Sequence, residues 1–262
     1  MRWTLEVGCV SITLNGPALW VWPFAQAWSR WSGEASDYEL RLEQDRGLPE
    51  PRAFLFTTLP RFNDGRCVLE APGFAGEIIP EEKRACLRAH PASSIGDLAY
   101  FIRTVFAIWA FDQGAVLFHA AGVIHRGKAW AFFGPSGSGK TTVVRFSEGK
   151  EILSDDLLLL RRKAKGWEAW ATPFSLYRSE RLSTPLHVLM RLVKAQGDYV
   201  EPLRPSVALG ELIASSPVVN ADPSRLPALL ARWEQILTSV PVCSLCFRKS
   251  NAFWEVIDAA FG

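Results

Sequence analysis

The sequence has few cysteines and no concentrated block of basic charge. Five cysteines in 262 residues are too few for a disulfide framework and are typical of a reducing compartment, so we expect a cytoplasmic protein. The formal net charge is only +2, and no dense cluster of lysine and arginine indicates nucleic acid as a partner. No internal repeat or low-complexity tract is present, so nothing indicates a repeat array.

Long apolar runs are also missing. The first residues, Met1–Val7, contain Glu6 where the apolar core of a signal peptide would lie. The longest apolar helical segment runs from Ile95 to Phe111, which is shorter than the roughly 20 residues that span a bilayer, and Arg103 interrupts it. We therefore expect no secretion signal and no membrane span, and we interpret the segment as a buried helix.

We expect an α/β protein with a sizeable hydrophobic core. Hydrophobic residues make up 48% of the chain, enough for one large domain or two small ones. We predict a strand-rich N-terminal region over residues 1–92, with a hairpin at Asn15-Gly16, and a catalytic domain with a mixed sheet over 93–262. In the last third, helical patterns cover 186–194, 226–237 and 253–261, and a strand contains the Cys-x-x-Cys pair.

A complete phosphate-binding motif, G-x-x-x-x-G-K-[ST], is the most informative feature present. Its eight residues are Gly134, Pro135, Ser136, Gly137, Ser138, Gly139, Lys140 and Thr141. The glycines allow positive φ angles, so that backbone N–H groups can surround an anion. An apolar strand precedes the motif and a short helix, starting near Thr142, follows it, which is the context that this motif requires.

The motif predicts a binding site for ATP and Mg²⁺. Lys140 supplies a positive charge for the β- and γ-phosphates, and Thr141 offers a hydroxyl to the magnesium ion. We include Thr142 among the nucleotide-binding residues.

Two adjacent acids, Asp155 and Asp156, interrupt the apolar run from Ile152 to Leu160. Carboxylates inside a buried strand are unfavourable unless a cation or a reacting group needs them. If the run is a strand, neighbouring side chains point to opposite sides, so one acid faces a metal while the other faces elsewhere. The alternative is a turn in which Ser154 and Asp155 cap a following helix.

His119 lies in the apolar segment Val116–Val123, ahead of a predicted turn at Arg126–Lys128. A lone histidine in such a segment is usually a packed core residue. We expect this one to face the same cleft as Lys140 and Asp155, because neighbouring strands lie about 4.8 Å apart. His125, at the turn, is expected to be exposed.

These elements together resemble the HPr kinase/phosphorylase family and, more distantly, phosphoenolpyruvate carboxykinase. The resemblance rests on His119–Val123, the phosphate loop, Ser154–Asp156 and Ala171–Phe174, in this order, and covers roughly residues 115–174. It implies a mixed-sheet core and ATP-dependent, Mg²⁺-dependent phosphorylation of a serine in a protein or peptide.

The resemblance also implies roles for individual residues. Asp155 corresponds to the family's catalytic acid, Asp156 to its metal-side acid, and Lys140 and Thr141 to its loop lysine and hydroxyl. His119 corresponds to its active-site histidine, which either orients the base or touches a cation. A carboxylate within reach of an acceptor hydroxyl can take its proton, and phosphoryl transfer otherwise needs positioning and charge neutralisation.

The chain departs from the family after Thr172, where the Arg-Gly-x-Gly stretch used in the reverse, phosphorolytic reaction is missing. We therefore expect neither phosphorylase activity nor HPr as the substrate. Some shorter relatives phosphorylate serine on lasso-peptide precursors, and the resemblance therefore implies a serine of a protein or peptide as the acceptor. A small-molecule hydroxyl, an NTPase and a regulatory nucleotide-binding module stay open as alternatives, and a homo-oligomer is compatible with the sequence.

Overall fold

The computed structural model describes residues 1–34, 36–52, 58–177 and 179–261. The protein is a mixed α/β protein with two mixed β-sheets, one of seven strands and one of eight. No helix in these ranges is long and apolar enough to cross a membrane. The five cysteines all lie within them and form no disulfide.

The chain divides into two compact units, residues 1–113 with 221–226, and residues 114–220 with 227–262. The first boundary follows residue 113 rather than residue 92, because the helix that we assigned to the catalytic domain belongs to the N-terminal unit. This helix contacts the N-terminal sheet so closely that a Cβ atom on Gly76 would lie 2.1 Å from the Phe101 ring. Because Gly76 has no side chain, the Phe101 ring can pack directly against the backbone of the sheet, and this contact holds the helix in place.

The N-terminal unit consists of a seven-stranded sheet and two helices. Its elements in chain order are β1 (Arg2–Val7), β2 (Val10–Asn15), α1 (Ala18–Ala27), β3 (Glu39–Gln44), β4 (Arg61–Asn63), β5 (Arg66–Ala71), β6 (Phe74–Ile79), β7 (Arg84–Ala89) and α2 (Ile95–Asp112). The sheet order is β1-β2-β3-β7-β6-β5-β4, with β3 parallel to both neighbours. Ser94 caps α2 in a capping box with Asp97, and the helix is buried along most of its length.

The predicted hairpin at Asn15-Gly16 is wrong. The hairpin between β1 and β2 turns at Gly8, which has a φ of 64°, and Asn15 ends β2 just before α1. A Cβ atom on Gly16 would lie 2.7 Å from the side chain of Leu42. The glycine therefore serves a close approach to β3 rather than a tight turn.

A buried ion cluster ties residues 221–226 to the rest of the N-terminal unit. Arg225 donates two hydrogen bonds of 2.9 Å to the Asp112 carboxylate and a third to Asp222. The Asp222 side chain is buried, and it also accepts hydrogen bonds from the backbone N–H and the hydroxyl of Ser224. Burial alone would raise the pKa of Asp222, but the hydrogen bonds from Ser224 and Arg225 outweigh it and hold the pKa below the ordinary value of 3.8.

We expect Asp222→Asn to lower the free energy of unfolding by about 1.5–3 kcal/mol at pH 7, the range for hydrogen bonds to charged groups. Since the folded-state pKa of Asp222 is depressed, its contribution is fully present above the unfolded pKa. It is lost as the pH falls through the folded pKa, which lies below 3.8. Urea titrations at pH 7 and pH 3 measure this difference. Asp37→Asn, which removes an exposed ion pair with Lys83, is the control, and its free energy of unfolding should differ little from that of the wild type. If Asp222→Asn loses the same free energy of unfolding at both pH values, the depressed pKa of Asp222 is wrong.

The C-terminal unit contains the predicted phosphate loop. Its elements are β8 (Ala115–His125), β9 (Lys128–Phe133), α3 (Lys140–Arg145), β10 (Glu151–Ser154), β11 (Leu157–Lys163), β12 (Gly166–Trp170), β13 (Ser183–Lys194), β14 (Tyr199–Pro202), α4 (Pro205–Ala214), α5 (Leu226–Leu237), β15 (Val242–Phe247) and α6 (Phe253–Phe261). The predicted helices at 226–237 and 253–261 and the strand with the Cys-x-x-Cys pair are confirmed.

The strands of this unit close a ring. β8 pairs with β11 through its first half and with β9 through its second half. β13 likewise pairs with β12 and then, in parallel, with β9, so the pairings β8-β11-β12-β13-β9 return to β8. Because β9, β13 and β15 are parallel, their carboxyl ends lie at one edge, where ligands of α/β sheets usually bind.

Two local predictions in this unit are wrong. The helix expected over 186–194 is part of strand β13. His125 is not exposed at its turn, since its Nε2 atom lies 2.7 Å from Asp258 of α6 and only 13% of its side chain is accessible. The turn itself is where the sequence placed it, at Arg126 and Gly127, both with positive φ.

Candidate functional site

The phosphate loop connects the carboxyl end of β9 to α3, at the sheet edge described above. Gly134, Gly137 and Gly139 have φ angles of 146°, 76° and 117°, in the region that side chains other than glycine rarely adopt. At Gly139 a Cβ atom would also lie 2.6 Å from the ring of Phe247, at the end of β15. The glycines are thus required by backbone geometry, and at Gly139 also by the neighbouring strand.

Lys140 lies across this loop. Its Nζ atom donates a hydrogen bond of 3.0 Å to the carbonyl of Gly134, and the N–H of Ser138 donates one to Pro135. Burial lowers the pKa of Lys140, while the negative charge of Asp156 acts in the opposite direction. The ammonium group is therefore partly desolvated and close to a carboxylate, so its attraction to an anion is less screened than on an open surface.

Ser138 contributes an unsatisfied polar atom to the loop. Its side chain is 8% exposed, and its Oγ atom has no hydrogen-bond partner among the described residues. Buried hydroxyls normally have a partner. The features that fit a phosphate group are the glycine-shaped backbone of the loop and the partly buried ammonium group of Lys140, which lie in one cavity.

Asp155 and Asp156 occupy a two-residue bend between β10 and β11, rather than positions inside one strand. Both strands run along β8, and the break falls opposite Ala120 and Ala121. Ser154 stabilises the bend, since its hydroxyl accepts hydrogen bonds from the N–H groups of Asp156 and Leu157 and donates to the Leu157 carbonyl. The alternative of a helix cap is wrong, because a strand follows.

The two acids point to different partners. Asp155 Oδ1 accepts a hydrogen bond of 2.7 Å from the Ser175 hydroxyl and one of 3.0 Å from the Leu176 N–H. Asp155 Oδ2 accepts none from the described residues. Asp156 Oδ1 instead lies 3.0 Å from His119 Nε2. The bend therefore gives the pair two distinct environments, which the sequence had suggested.

His119 lies on β8, directly opposite Leu157 of β11. Its side chain is 41% exposed, so it is not a packed core histidine. The sequence left open whether His119 orients the base Asp155 or touches a cation; the structure places its ring nitrogen against Asp156, the acid expected on the metal side. The pairing of β10 and β11 with β8 determines which of the two carboxylates, Asp155 or Asp156, lies beside His119.

One cavity of about 570 Å³ brings most of the predicted site together. It is lined by His119, Ser136, Gly137, Gly139, Lys140, Thr141, Thr142, Asp155, Asp156, Phe174 and Leu176. The remaining loop residues of our prediction, Gly134, Pro135 and Ser138, support the loop without lining this cavity.

Sequence reasoning missed the segment that closes one side of the cavity. Phe174 and Leu176 line it, and Ser175 between them binds Asp155. The Thr172 hydroxyl attaches the start of this segment to the Leu157 carbonyl, at 2.8 Å. The segment Ala171–Phe174 carried part of the family resemblance, but nothing in the sequence connected Ser175 with an acid twenty residues earlier.

The donor groups in the cavity fit a magnesium ion that arrives with a nucleotide. No group of three or more His, Cys, Asp or Glu side chains within the described ranges could hold a metal by itself. Thr141 and Asp156 offer one hydroxyl and one carboxylate in the same cavity. Magnesium is commonly bound by one or two carboxylates together with substrate phosphates and water.

No protein-family model matches the chain, and no curated protein matches it. The function therefore has to be argued from the geometry of this cavity.

Proposed function

We propose that this protein transfers the γ-phosphoryl group of ATP, with Mg²⁺, to a hydroxyl group, and that the acceptor is a serine of a protein or peptide. One observation carries the proposal: a single cavity joins a glycine-shaped phosphate loop, with Lys140 and Thr141, to a pair of carboxylates and a histidine. An NTPase or a binding module needs the loop, whereas the acids beside it suit activation of an acceptor.

The proposed fold of the C-terminal unit is a phosphate-loop kinase core of the HPr kinase/phosphoenolpyruvate carboxykinase type. Its support is the order of elements: the His119 strand β8, the loop between β9 and α3, and the acid bend between β10 and β11. β8 pairs with β9, β10 and β11. One strand thus aligns all three parts of the site.

The residues of the loop hold the nucleotide in this proposal. Lys140 contacts the β- and γ-phosphates, and the backbone N–H groups of residues 134–141 surround them. Thr141 and Asp156 hold the magnesium ion, which when bound neutralises charge on the phosphate oxygens. His119, 3.0 Å from Asp156, orients this metal-side acid.

Asp155 is the proposed general base. Its Oδ1 atom is fixed by Ser175 and Leu176, and its Oδ2 atom is left for the acceptor. In the reaction the acceptor oxygen forms a bond to the γ-phosphorus, and the bond from that phosphorus to the β,γ-bridging oxygen breaks. ADP leaves with this bridging oxygen, and the hydroxyl proton passes to Asp155 Oδ2.

The proposal is tested by incubating the protein with γ-labelled ATP, Mg²⁺ and a cell extract. We expect label on a protein or peptide, and no label when Lys140→Ala replaces the wild type. Label on a small molecule would identify a small-molecule kinase, and label only in free phosphate an NTPase. Bound but unchanged ATP would contradict any transfer and leave a regulatory module. Phosphoserine in the labelled product would establish the acceptor group.

A further inference from the structure

An apolar surface extends out of the proposed active site. Phe174 and Leu176 line the cavity, and Tyr177 follows; we call these three residues the acceptor shelf. Leu176 is 91% exposed and Tyr177 is 40% exposed. Single exposed apolar residues are common on protein surfaces, but Leu176 is part of the wall of a cavity that also contains Lys140 and Asp155.

Two carboxylates fix the segment that carries the shelf. Asp155 accepts hydrogen bonds from the Ser175 hydroxyl and the Leu176 N–H, at 2.7 and 3.0 Å. Glu151 of β10 accepts hydrogen bonds from the Ser179 hydroxyl and the Arg181 N–H, at 2.5 and 2.7 Å. Each anchor thus combines a serine hydroxyl with a backbone N–H. Asp155 and Glu151 are four residues apart, as are Ser175 and Ser179, so one anchor lies before Tyr177 and the other after it.

The anchors consist of charge-assisted hydrogen bonds, which are stronger than neutral ones. At Glu151, burial would raise the pKa, but the bonds from Ser179 and Arg181 hold it below its ordinary value. An exposed leucine on a fixed backbone loses little conformational entropy when a ligand covers it. Leu176 is therefore prepared for binding, since Asp155 holds its backbone N–H while its side chain stays 91% exposed.

We propose that the acceptor shelf binds an apolar side chain of a polypeptide acceptor, next to the residue whose hydroxyl is phosphorylated. This inference rests on the proposed function, and it makes Leu176 and Phe174 specificity determinants of that reaction. A polypeptide is favoured because Leu176 lies in the wall of the cavity and is 91% exposed, so it can contact a side chain beside the reacting serine. The chemical step is unchanged: the serine oxygen gains the phosphorus, ADP leaves, and Asp155 receives the proton.

Asp155 has a second task in this arrangement. One oxygen of its carboxylate holds the shelf through Ser175 and Leu176, and the other faces the acceptor in the proposed reaction. The Asp155 side chain therefore fixes the distance between the acceptor shelf and its own Oδ2 atom, which takes the proton of the acceptor hydroxyl. Ser175 is a positioning residue, because it acts through Asp155 and does not line the cavity.

The test uses synthetic ten-residue peptides with one central serine on a background of alanine, glycine and lysine. In one peptide leucine flanks the serine, and in the other aspartate does. We expect the wild type to prefer the leucine peptide by about tenfold or more in kcat/KM, since covering a leucine side chain contributes an effect of at least this size. Leu176→Ser should raise KM for the leucine peptide and reduce the preference to about twofold or less, with KM for ATP unchanged.

Leu59→Ser is the matched control, because Leu59 is 73% exposed and lies in the other unit. It should keep the full preference for the leucine peptide. Leu176 is exposed, so Leu176→Ser should unfold at the same urea concentration as the wild type. Leu176→Ala is a second variant that should shift the preference in the same direction.

Equal kcat/KM for the two peptides in the wild type would overturn the inference, as would an undiminished preference in Leu176→Ser. If ATP is bound and hydrolysed but no peptide is phosphorylated, the polypeptide acceptor is wrong while phosphoryl transfer to a small molecule survives. If ATP is neither bound nor hydrolysed, the proposed function itself fails, and the shelf fails with it.

Discussion

Asp155→Asn is expected to lower phosphoryl transfer by about 10²–10⁴-fold, the usual contribution of a general base, with Mg-ATP affinity within a few-fold of wild type. The side-chain oxygen of asparagine can replace Oδ1 and still accept the hydrogen bonds from Ser175 and Leu176. The amide nitrogen then takes the place of Oδ2 and cannot accept a proton. The variant thus keeps the anchor and removes only the base.

Transfer rates are measured at saturating ATP, and ATP affinity by calorimetry. Ser175→Ala is the matched control, because it removes the hydroxyl of the anchor and leaves the carboxylate intact. We expect it to lower transfer much less than Asp155→Asn does. If Asp155→Asn transfers at the wild-type rate, Asp155 is only an anchor. In that case the proton acceptor has to be sought at Asp156 and His119.

Lys140→Ala is expected to weaken Mg-ATP binding by about 10- to 150-fold, which corresponds to the 1.5–3 kcal/mol of a hydrogen bond to a charged group. The physical reason is the position of the ammonium group, which lies over the loop at 3.0 Å from the Gly134 carbonyl and is partly desolvated. Removing it takes away the loop's only lysine side chain, whereas the backbone N–H groups remain.

Isothermal calorimetry with Mg-ATP measures the effect. Lys165→Ala, in the exposed turn between β11 and β12, changes the net charge equally and should leave affinity unchanged. Wild-type affinity in Lys140→Ala would rule out nucleotide binding at this loop. Because the contribution of Lys140 is electrostatic, raising the salt concentration should reduce the difference in Mg-ATP affinity between Lys140→Ala and Lys165→Ala.

The sequence was sufficient where local chemistry dictates structure. The positive φ angles at Gly134, Gly137 and Gly139 follow from the motif alone. The helices near residues 226 and 253 show a regular apolar periodicity on one face, as expected for helices that pack one side against a core. In the same way, the order of His119, the loop and the acids sufficed to place them near one sheet edge.

The sequence was insufficient where tertiary contacts decide. Strand β13 is buried on both faces around Val188–Met190, so it lacks the alternation of a strand, and its leucine and methionine residues favour a helix equally well. Which acid meets His119 depends on the register of β10 and β11 along β8. The contact of Ser175 with Asp155 depends on a segment that returns to the site after two further strands, and no local pattern encodes it.

The assignment of residues 221–226 to the N-terminal unit has a consequence for biosynthesis. Residues 1–113 leave the ribosome well before Arg225, the partner of Asp112, has been translated. At a rate of about 5–20 residues per second, the delay is on the order of ten seconds. Throughout this interval the nascent N-terminal unit lacks residues 221–226, and Asp112 at the end of α2 lacks its partner Arg225. The N-terminal unit therefore gains its last contacts only after most of the C-terminal unit has been translated.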